Sequence, residues 1–319
     1  MPATKSTVRN IGNLLSHQSI PGGVQGEADG GKFRIEFYSE SVARVSMTPN
    51  DTFDDFSYAT IAKPTAVDVK AQETLTQLIL QTNQVKVVIE KNPIRLSFQT
   101  LGSEVINEDE PGLGTSWIGE QATAYKRLQQ GERFIGLGEK TGPLDRKGNA
   151  YQNWNTDAYG YHGGSDPLYC STPFFIGIHH RHVYGIFFDN SYKTFFNFGA
   201  SNNRFSSFSC DSGEMNYYFI AGGNVAEIIS HYTWLTGRME MPPQWSIGYQ
   251  QCRYSYYPDK EVLSVARTFR EKDIPADVIV LDIHYMDKYK IFTWDAKNFP
   301  DPKGLLDKLK EAGFEVVLM

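Results

Sequence analysis

Trp245 to Asp287 reads WSIGYQQCRYSYYPDKEVLSVARTFREKDIPADVIVLDIHYMD, and this stretch decides the fold. Ser246 to Gln251 suits a short strand and runs into a polar, aromatic turn, Cys252 to Tyr257. Asp259 stands where an N-cap belongs, since its carboxylate can accept from the free N–H groups of a first helical turn. Val262, Val265, Ala266 and Phe269 follow at helical spacing, and Pro275 marks the stop. Val278 to Leu281 is an unbroken apolar run, as expected of a strand buried on both faces in a parallel sheet covered by helices. The stretch is one strand–helix–strand unit. Asp282 follows directly, and an unpaired carboxylate is costly to bury, so it belongs at the strand's open end. In barrels of alternating strands and helices, that end is where substrates bind.

Downstream, Asp301 and Pro302 make a helix start of the favoured kind, an N-cap followed by proline at the first helical position. Leu305, Leu306, Leu309 and Ala312 form its apolar stripe, Gly313 ends it, and Phe314 to Leu318 is the next apolar strand.

Upstream, the period changes. Residues 1 to about 30 are polar and glycine-rich and are expected to be a loose lead-in. Phe33, Ile35 and Phe37 then alternate onto one face, as do Val85, Val87 and Ile89, and Ile94, Leu96 and Phe98, with Asn92-Pro93 as a hairpin turn. Phe174 to Ile178, Val183 to Phe188, Thr194 to Phe198 and Tyr217 to Ile220 continue in this style, and many short strands separated by turns argue for an antiparallel β-sandwich. After Gly222-Gly223, Asn224 caps a helix with apolar positions Val225, Ile228, Ile229, Tyr232 and Leu235, closed by Gly237. Met241-Pro242-Pro243 is a stiff connector, so the domain boundary is expected near residue 240, with a sandwich and linker helix over 1–240 and barrel elements over 241–319.

The 319 residues allow two domains, and a net charge of −6 offers no basic patch for a phosphate backbone, which excludes nucleic acid as a partner. No apolar run approaches the roughly 20 residues of a membrane span, and the N-terminus has no signal-peptide core, so a cytoplasmic location is expected (periplasmic if a leader was trimmed). Three cysteines without close spacing imply neither a disulfide framework nor zinc. His179-His180-Arg181-His182 reads as a hairpin tip rather than a metal cluster, because neighbouring strand residues face opposite ways. Tyr161-His162-Gly163-Gly164 lacks the accompanying elbow of an esterase, and Gly136-Leu137-Gly138 lacks the Lys-Ser/Thr of a phosphate loop. No metal or cofactor is expected.

GYQQCRYSYY and DVIVLDIHYMD, followed by Phe292-Thr293-Trp294-Asp295 and Phe299-Pro300-Asp301-Pro302, resemble the start of the catalytic barrel of glycoside hydrolase family 31, the α-glucosidase and α-xylosidase family. GLGEKTG at 136–142, NWNTD at 153–157 and DPLYCSTPFF at 166–175 are similar to the family's N-terminal domain. The resemblance implies a galactose-mutarotase-like β-sandwich followed by a (β/α)8 TIM barrel. A full barrel has eight strands over roughly 250 residues. Only about three strands' worth is present, and an unpaired Val316-Val317-Leu318 edge is an aggregation hazard, so the chain reads as the truncated N-terminal portion of a longer enzyme.

Retaining glycosidases need two carboxyl groups about 5 to 5.5 Å apart. No position here matches the family's motif for either, so both are expected beyond Met319, and the 319-residue chain is expected to be inactive. The resemblance instead implies substrate-positioning roles. Asp282 would accept hydrogen bonds from sugar hydroxyls, for which a charged acceptor suits. Tyr254 would form an aromatic wall, Ile283 would pack as in glucosidase-type members, and Asp157 would enter the sugar site from a sandwich loop that Trp154 supports. His284 departs from the family's commoner D-I-D pattern and reads as a supporting residue. The implied partner is an oligosaccharide or α-glucoside, the oligomeric state being open. The leading expectation is a retaining α-glucosidase acting at non-reducing α-glucosyl ends. The alternatives are a carbohydrate-binding sandwich module or another family 31 activity, α-xylosidase, α-galactosidase or transglycosylase.

Overall fold

The computed structural model describes residues 7–319, which form two compact units, one ending at Arg238 and one running from Met239 to Met319. The first is built on an eight-stranded antiparallel sheet whose central strands, Val42–Thr48 and Met215–Gly222, are paired with each other and buried almost throughout. Burial on both faces extends even to polar residues of these strands, Arg44, Ser46, Thr48 and Asn216. One face carries Phe33, Ile35, Phe37, Val45, Tyr217 and Phe219 into a core shared with two further antiparallel sheets, of five and six strands. The hairpin Lys86–Lys91 to Ile94–Gln99 belongs to the five-stranded sheet, and its alternating Val87, Ile89, Ile94, Leu96 and Phe98 all point inward. The other face, with Phe174, Ile176, Phe187, Tyr218 and Ile220, is covered by the helix α1 (Val225–Thr236) through Ile228 and Leu235.

Asn224 caps α1 as expected: its side chain accepts from Glu227 N–H at 3.0 Å, while Glu227 reaches back to Gly223 N–H at 2.8 Å. Tyr232 stacks on Phe174 with ring centroids 3.9 Å apart, but Val225 and Ile229 of the expected stripe face solvent because α1 presents a single narrow seam to the sheet. The expected loose lead-in is corrected. Its first six residues lie outside the described range, but Val8–Asn10, Leu14–Ile20 and Gly23–Ala28 are strands. Val8–Asn10 and Leu14–Ile20 are edge strands held by ladder hydrogen bonds rather than by burial, while Gly23–Ala28 lies one strand further in and buries Val24 and Ala28.

The second unit is a three-stranded parallel sheet, Gln250–Gln251, Val278–Leu281 and Glu315–Leu318, with Val278–Leu281 in the centre. The helices α2 (Asp259–Glu271) and α3 (Pro302–Glu311) form the two crossovers, and Val262, Ala266, Leu305 and Leu309 pack with Ile279, Leu281 and Phe314. Asp301 caps α3 by accepting from Gly304 N–H at 3.0 Å, with Pro302 at the first helical position. Two local expectations are corrected. Ser246–Gln251 is not one strand: Gln244–Ile247 is a 3-10 turn started by the two prolines, and only Gln250–Gln251 pairs with the sheet. Asp259 is the first helical residue rather than the N-cap, since Pro258 takes that place. Asp259 Oδ1 then accepts from its neighbour Lys260 N–H at 2.7 Å, where a carboxylate still favours the helix dipole. Among the described residues no helix is long and apolar enough to cross a membrane.

Two polar networks fix register inside the sandwich. Lys126 Nζ donates to Asp109 Oδ1 at 2.6 Å and to the Tyr217 hydroxyl at 2.8 Å, and Asp109 Oδ2 accepts from Leu96 N–H at 2.9 Å, so one ion pair ties all three sheets. Both partners are almost fully enclosed. Asp109→Ala, which strands the ammonium, is expected to cost about 3–5 kcal/mol in denaturant unfolding, whereas the double change Lys126→Met with Asp109→Leu costs much less. In the second network Tyr184 donates to Glu132 Oε1 at 2.7 Å and Asn107 Nδ2 donates to Tyr184 at 3.3 Å. Burial pushes the Glu132 carboxyl up to about 7, against the pull of the Tyr184 hydrogen bond. The folded state therefore keeps a proton that the unfolded chain releases near its ordinary value of 4.5, and stability falls as pH rises between the two. Glu132→Gln removes that slope, a difference of about 3 kcal/mol from wild type between pH 4 and pH 8, measured by urea unfolding.

Candidate functional site

In the parallel-sheet unit the chemistry collects where strands end. Ile279 and Leu281 face the helices, so by the two-residue alternation Val278 and Val280 face the opposite side. Asp282 continues the strand with extended backbone (φ −74°, ψ 171°), so its carboxylate leaves the sheet on the side away from α2 and α3. It is partly exposed, and its Oδ1 accepts from Ile283 N–H at 2.6 Å, capping the single turn Ile283–Tyr285. Ile283 turns back and packs against the helix-side core.

Two residues on, His284 sits in a ring of polar and aromatic groups. Its Nδ1 lies 2.6 Å from Ser255 Oγ, its Nε2 lies 3.4 Å from the Tyr289 hydroxyl, and its ring stacks on Tyr257 at 5.0 Å and 7°. Tyr254 meets the same imidazole edge-on at 5.1 Å and is 70% exposed, which leaves most of its ring free for a ligand. Tyr254 and the Asp282–His284 turn, from the loops after two adjacent strands, are thereby brought together. In Phe292-Thr293-Trp294-Asp295 the last three residues are structural, Thr293 Oγ1 accepting from Asp287 N–H at 3.0 Å, while Phe292 is exposed. Trp294 packs on Tyr285 at 5.0 Å, and Asp295 accepts from Asn298 Nδ2 at 2.6 Å and Lys297 N–H at 2.9 Å.

Asp157 belongs to the sandwich unit and is exposed on a long loop between Ala150–Asn153 and Ser171–His179. The loop is firmly tied. The Lys140 side chain is fully enclosed, donating to Asp166 Oδ1 at 2.7 Å and to the Gln152 carbonyl at 2.6 Å, and burial pulls its ammonium below the usual value. Asn155 Oδ1 accepts from Ser171 N–H at 2.8 Å, and Thr156 N–H donates to the Leu168 carbonyl at 2.9 Å. The glycines of GLGEKTG bring the chain here. A register shift falls between Gly136 and Gly138, and at Gly138 (φ +76°) a Cβ would lie 2.7 Å from the Cys170 carbonyl oxygen. Tyr169 lies near Asp157: partial burial first, then that carboxylate's charge, raises its hydroxyl above the usual value. Tyr161 approaches Tyr169 edge-on at 6.3 Å.

Residue-by-residue reading of the sequence reached Asp282, Ile283, Tyr254 and Asp157 but gave no roles to Ser255, Tyr257 or Tyr289. The aromatic density of Cys252 to Tyr257 was the available signal; what organises it is His284, which looks unremarkable alone. The expected hairpin tip is present: His179 and His182 pair across a two-residue turn, and His179 Nε2 lies 2.7 Å from the Ile106 carbonyl oxygen.

The family model for the glycosyl hydrolase 31 N-terminal galactose mutarotase-like domain matches residues 32–197, and that for the glycosyl hydrolases family 31 TIM-barrel domain matches residues 239–319. The chain belongs to glycoside hydrolase family 31. Alpha-glucosidase 2 of Bacillus thermoamyloliquefaciens is 39% identical over 318 residues, 98% of this chain and 40% of that protein. The alpha-glucosidase of Saccharolobus solfataricus is 35% identical over 70% of this chain and 32% of its own length. Among solved structures, the Flavobacterium johnsoniae GH31 dextranase complexed with isomaltotriose superposes with a TM-score of 0.92 at 32% identity, covering 97% of this chain and 38% of the dextranase. The family 31 chain described here thus spans about 40% of the length of the Bacillus relative.

The tie beneath the Asp157 loop is testable. Asp166→Ala strands the enclosed Lys140 ammonium and is expected to destabilise the sandwich by about 3 kcal/mol. It should also expose 157–165 to limited proteolysis at protease levels that leave the wild-type loop intact.

Proposed function

We propose that this chain is the substrate-positioning part of a retaining α-glucosidase that hydrolyses O-glycosyl bonds at non-reducing α-glucosyl ends. One observation carries the reading most: Asp282 ends the central, fully buried strand of a parallel sheet and projects away from the covering helices, beside an exposed tyrosine wall. A charged acceptor held by its own backbone cap needs little reorganisation to receive sugar hydroxyls, and Tyr254 offers an apolar face to the C–H side of a pyranose. Asp157 is given a sugar-positioning role on its motif alone, and Ile283 is a packing residue behind Asp282. The nucleophile and the acid/base are assigned to chain outside these residues, in keeping with the 40% of the Bacillus alpha-glucosidase that is spanned. The dextranase match favours testing α-1,6 as well as α-1,4 linkages.

The test uses the product of the complete reading frame. Asp282→Asn is expected to lower kcat/KM on nitrophenyl α-glucoside at least about tenfold, the worth of one hydrogen bond to a charged group. An unchanged kcat/KM removes Asp282 from the site. Absence of turnover on α-glucosides, with turnover on an α-xyloside, replaces the glucosidase reading by the xylosidase one.

A further inference from the structure

Among the described residues the sandwich buries eight side-chain polar atoms that find no partner; one each on Arg34, Asn107, Trp117 and Arg146 stands elsewhere, and the other four belong to residues that line two adjoining cavities. Asn153 is 5% exposed, yet neither its Nδ2 nor its Oδ1 is hydrogen-bonded. The Ser171 hydroxyl is likewise buried and unpaired, as is Glu214 Oε2. Asn153 and Ser171 line one cavity of 290 Å³ together with Trp154 and Tyr192. Ser171 and Tyr192 also line an adjoining cavity of 550 Å³, which Glu214 closes. Each such atom costs about 1–3 kcal/mol unless something meets it. Well-packed cores avoid leaving them, and the Lys126–Asp109–Tyr217 network shows this sandwich satisfying a much more demanding group.

The walls say what would meet them. Trp154 and Tyr192 are 49% and 54% exposed, so each presents an open ring face to the groove. Lys193 Nζ lies 5.3 Å from the Trp154 ring and holds it by a cation–π contact. Between them stand an amide that can both donate and accept, and a hydroxyl. Among the described residues no Lys or Arg lines either cavity to attract an anion, and burial raises Asp189 and pushes Glu214 up to about 7, which favours their neutral forms. Flat apolar faces alternating with neutral donors and acceptors match a neutral pyranose, whose C–H face stacks while its hydroxyls bond at the rim.

We infer that the groove lined by Asn153, Trp154, Ser171 and Tyr192 is a binding site for a neutral glycosyl unit, carried wholly by the sandwich. Its 290 Å³ end takes one sugar ring, and the 550 Å³ end gives a chain room to continue. The choice of α-linked glucose as probe rests on the activity proposed above. The groove itself does not.

The 319-residue chain is titrated calorimetrically with isomaltotriose and with maltotriose. Saturable binding of at least one is expected. Trp154→Ala and Tyr192→Ala, both at exposed rings, should each weaken it about tenfold without changing the melting temperature. Asn153→Leu should abolish it while leaving stability equal or higher, because an apolar side chain of similar shape removes the unpaired amide. Asp282→Asn should leave this binding unchanged, which separates it from the site proposed for catalysis. Absence of saturable binding overturns the inference. So does binding that survives Trp154→Ala and Tyr192→Ala, or that disappears with Asp282→Asn alone.

Discussion

The strand Val278–Leu281 is closed to charge along its whole length and open to it at the next residue. All four of its side chains are buried, so a carboxylate anywhere within it would have to be neutralised or paired at a cost of several kcal/mol. At Asp282 the chain leaves the sheet, and the carboxylate caps its own turn through Ile283 N–H. Position and orientation follow from that one constraint. The neighbouring loops are then organised around the imidazole two residues further on, which borrows a hydroxyl from one loop and rings from both. A site at the end of a parallel strand is rigid because the sheet behind it cannot shift register without exposing Ile279 and Leu281.

The sandwich solves the opposite problem. The central strands of its eight-stranded sheet are buried on both faces, and apolar side chains alone do not fix their alignment against the two other sheets. A lysine, an aspartate and a tyrosine hydroxyl, drawn from different sheets and satisfied together, define one alignment. Lys140 and Asp166 do the same for the loop that holds Asp157, where the enclosed ammonium has partners in one arrangement only.

Much of this was legible in the sequence because it is local. Asn224 and Asp301 cap their helices, Phe33, Ile35 and Phe37 share a buried face, and Asp282 follows an apolar tetrad, all within a few residues. What was not legible depends on partners far along the chain. The strand Leu14–Ile20 has no apolar alternation because its stability comes from pairing with Gly23–Ala28, so its residues look like a linker. Asp259 reads as a cap until Pro258 occupies that position with its fixed φ. His284 reads as incidental because Ser255 lies 29 positions earlier. Motifs place single residues well, but they do not show which neighbour makes a residue matter.

The unpaired atoms of the sandwich should be weighed against its satisfied ones. The fold encloses Lys126 with every strong partner in place, and it leaves single unpaired atoms on Arg34, Asn107, Trp117 and Arg146. None of those four residues lines the groove at Trp154 and Tyr192, where the remaining unpaired atoms are concentrated. Here the Asn153 amide, the Ser171 hydroxyl and Glu214 Oε2 line two adjoining cavities, with Trp154 and Tyr192 exposed at the rim. Folding stability does not account for this pattern, since replacing the amide by an aliphatic group would relieve the cost at once. A polar groove kept at the expense of stability is what recognition of a hydroxylated ligand requires: donors and acceptors already desolvated and fixed give up little freedom when the ligand arrives.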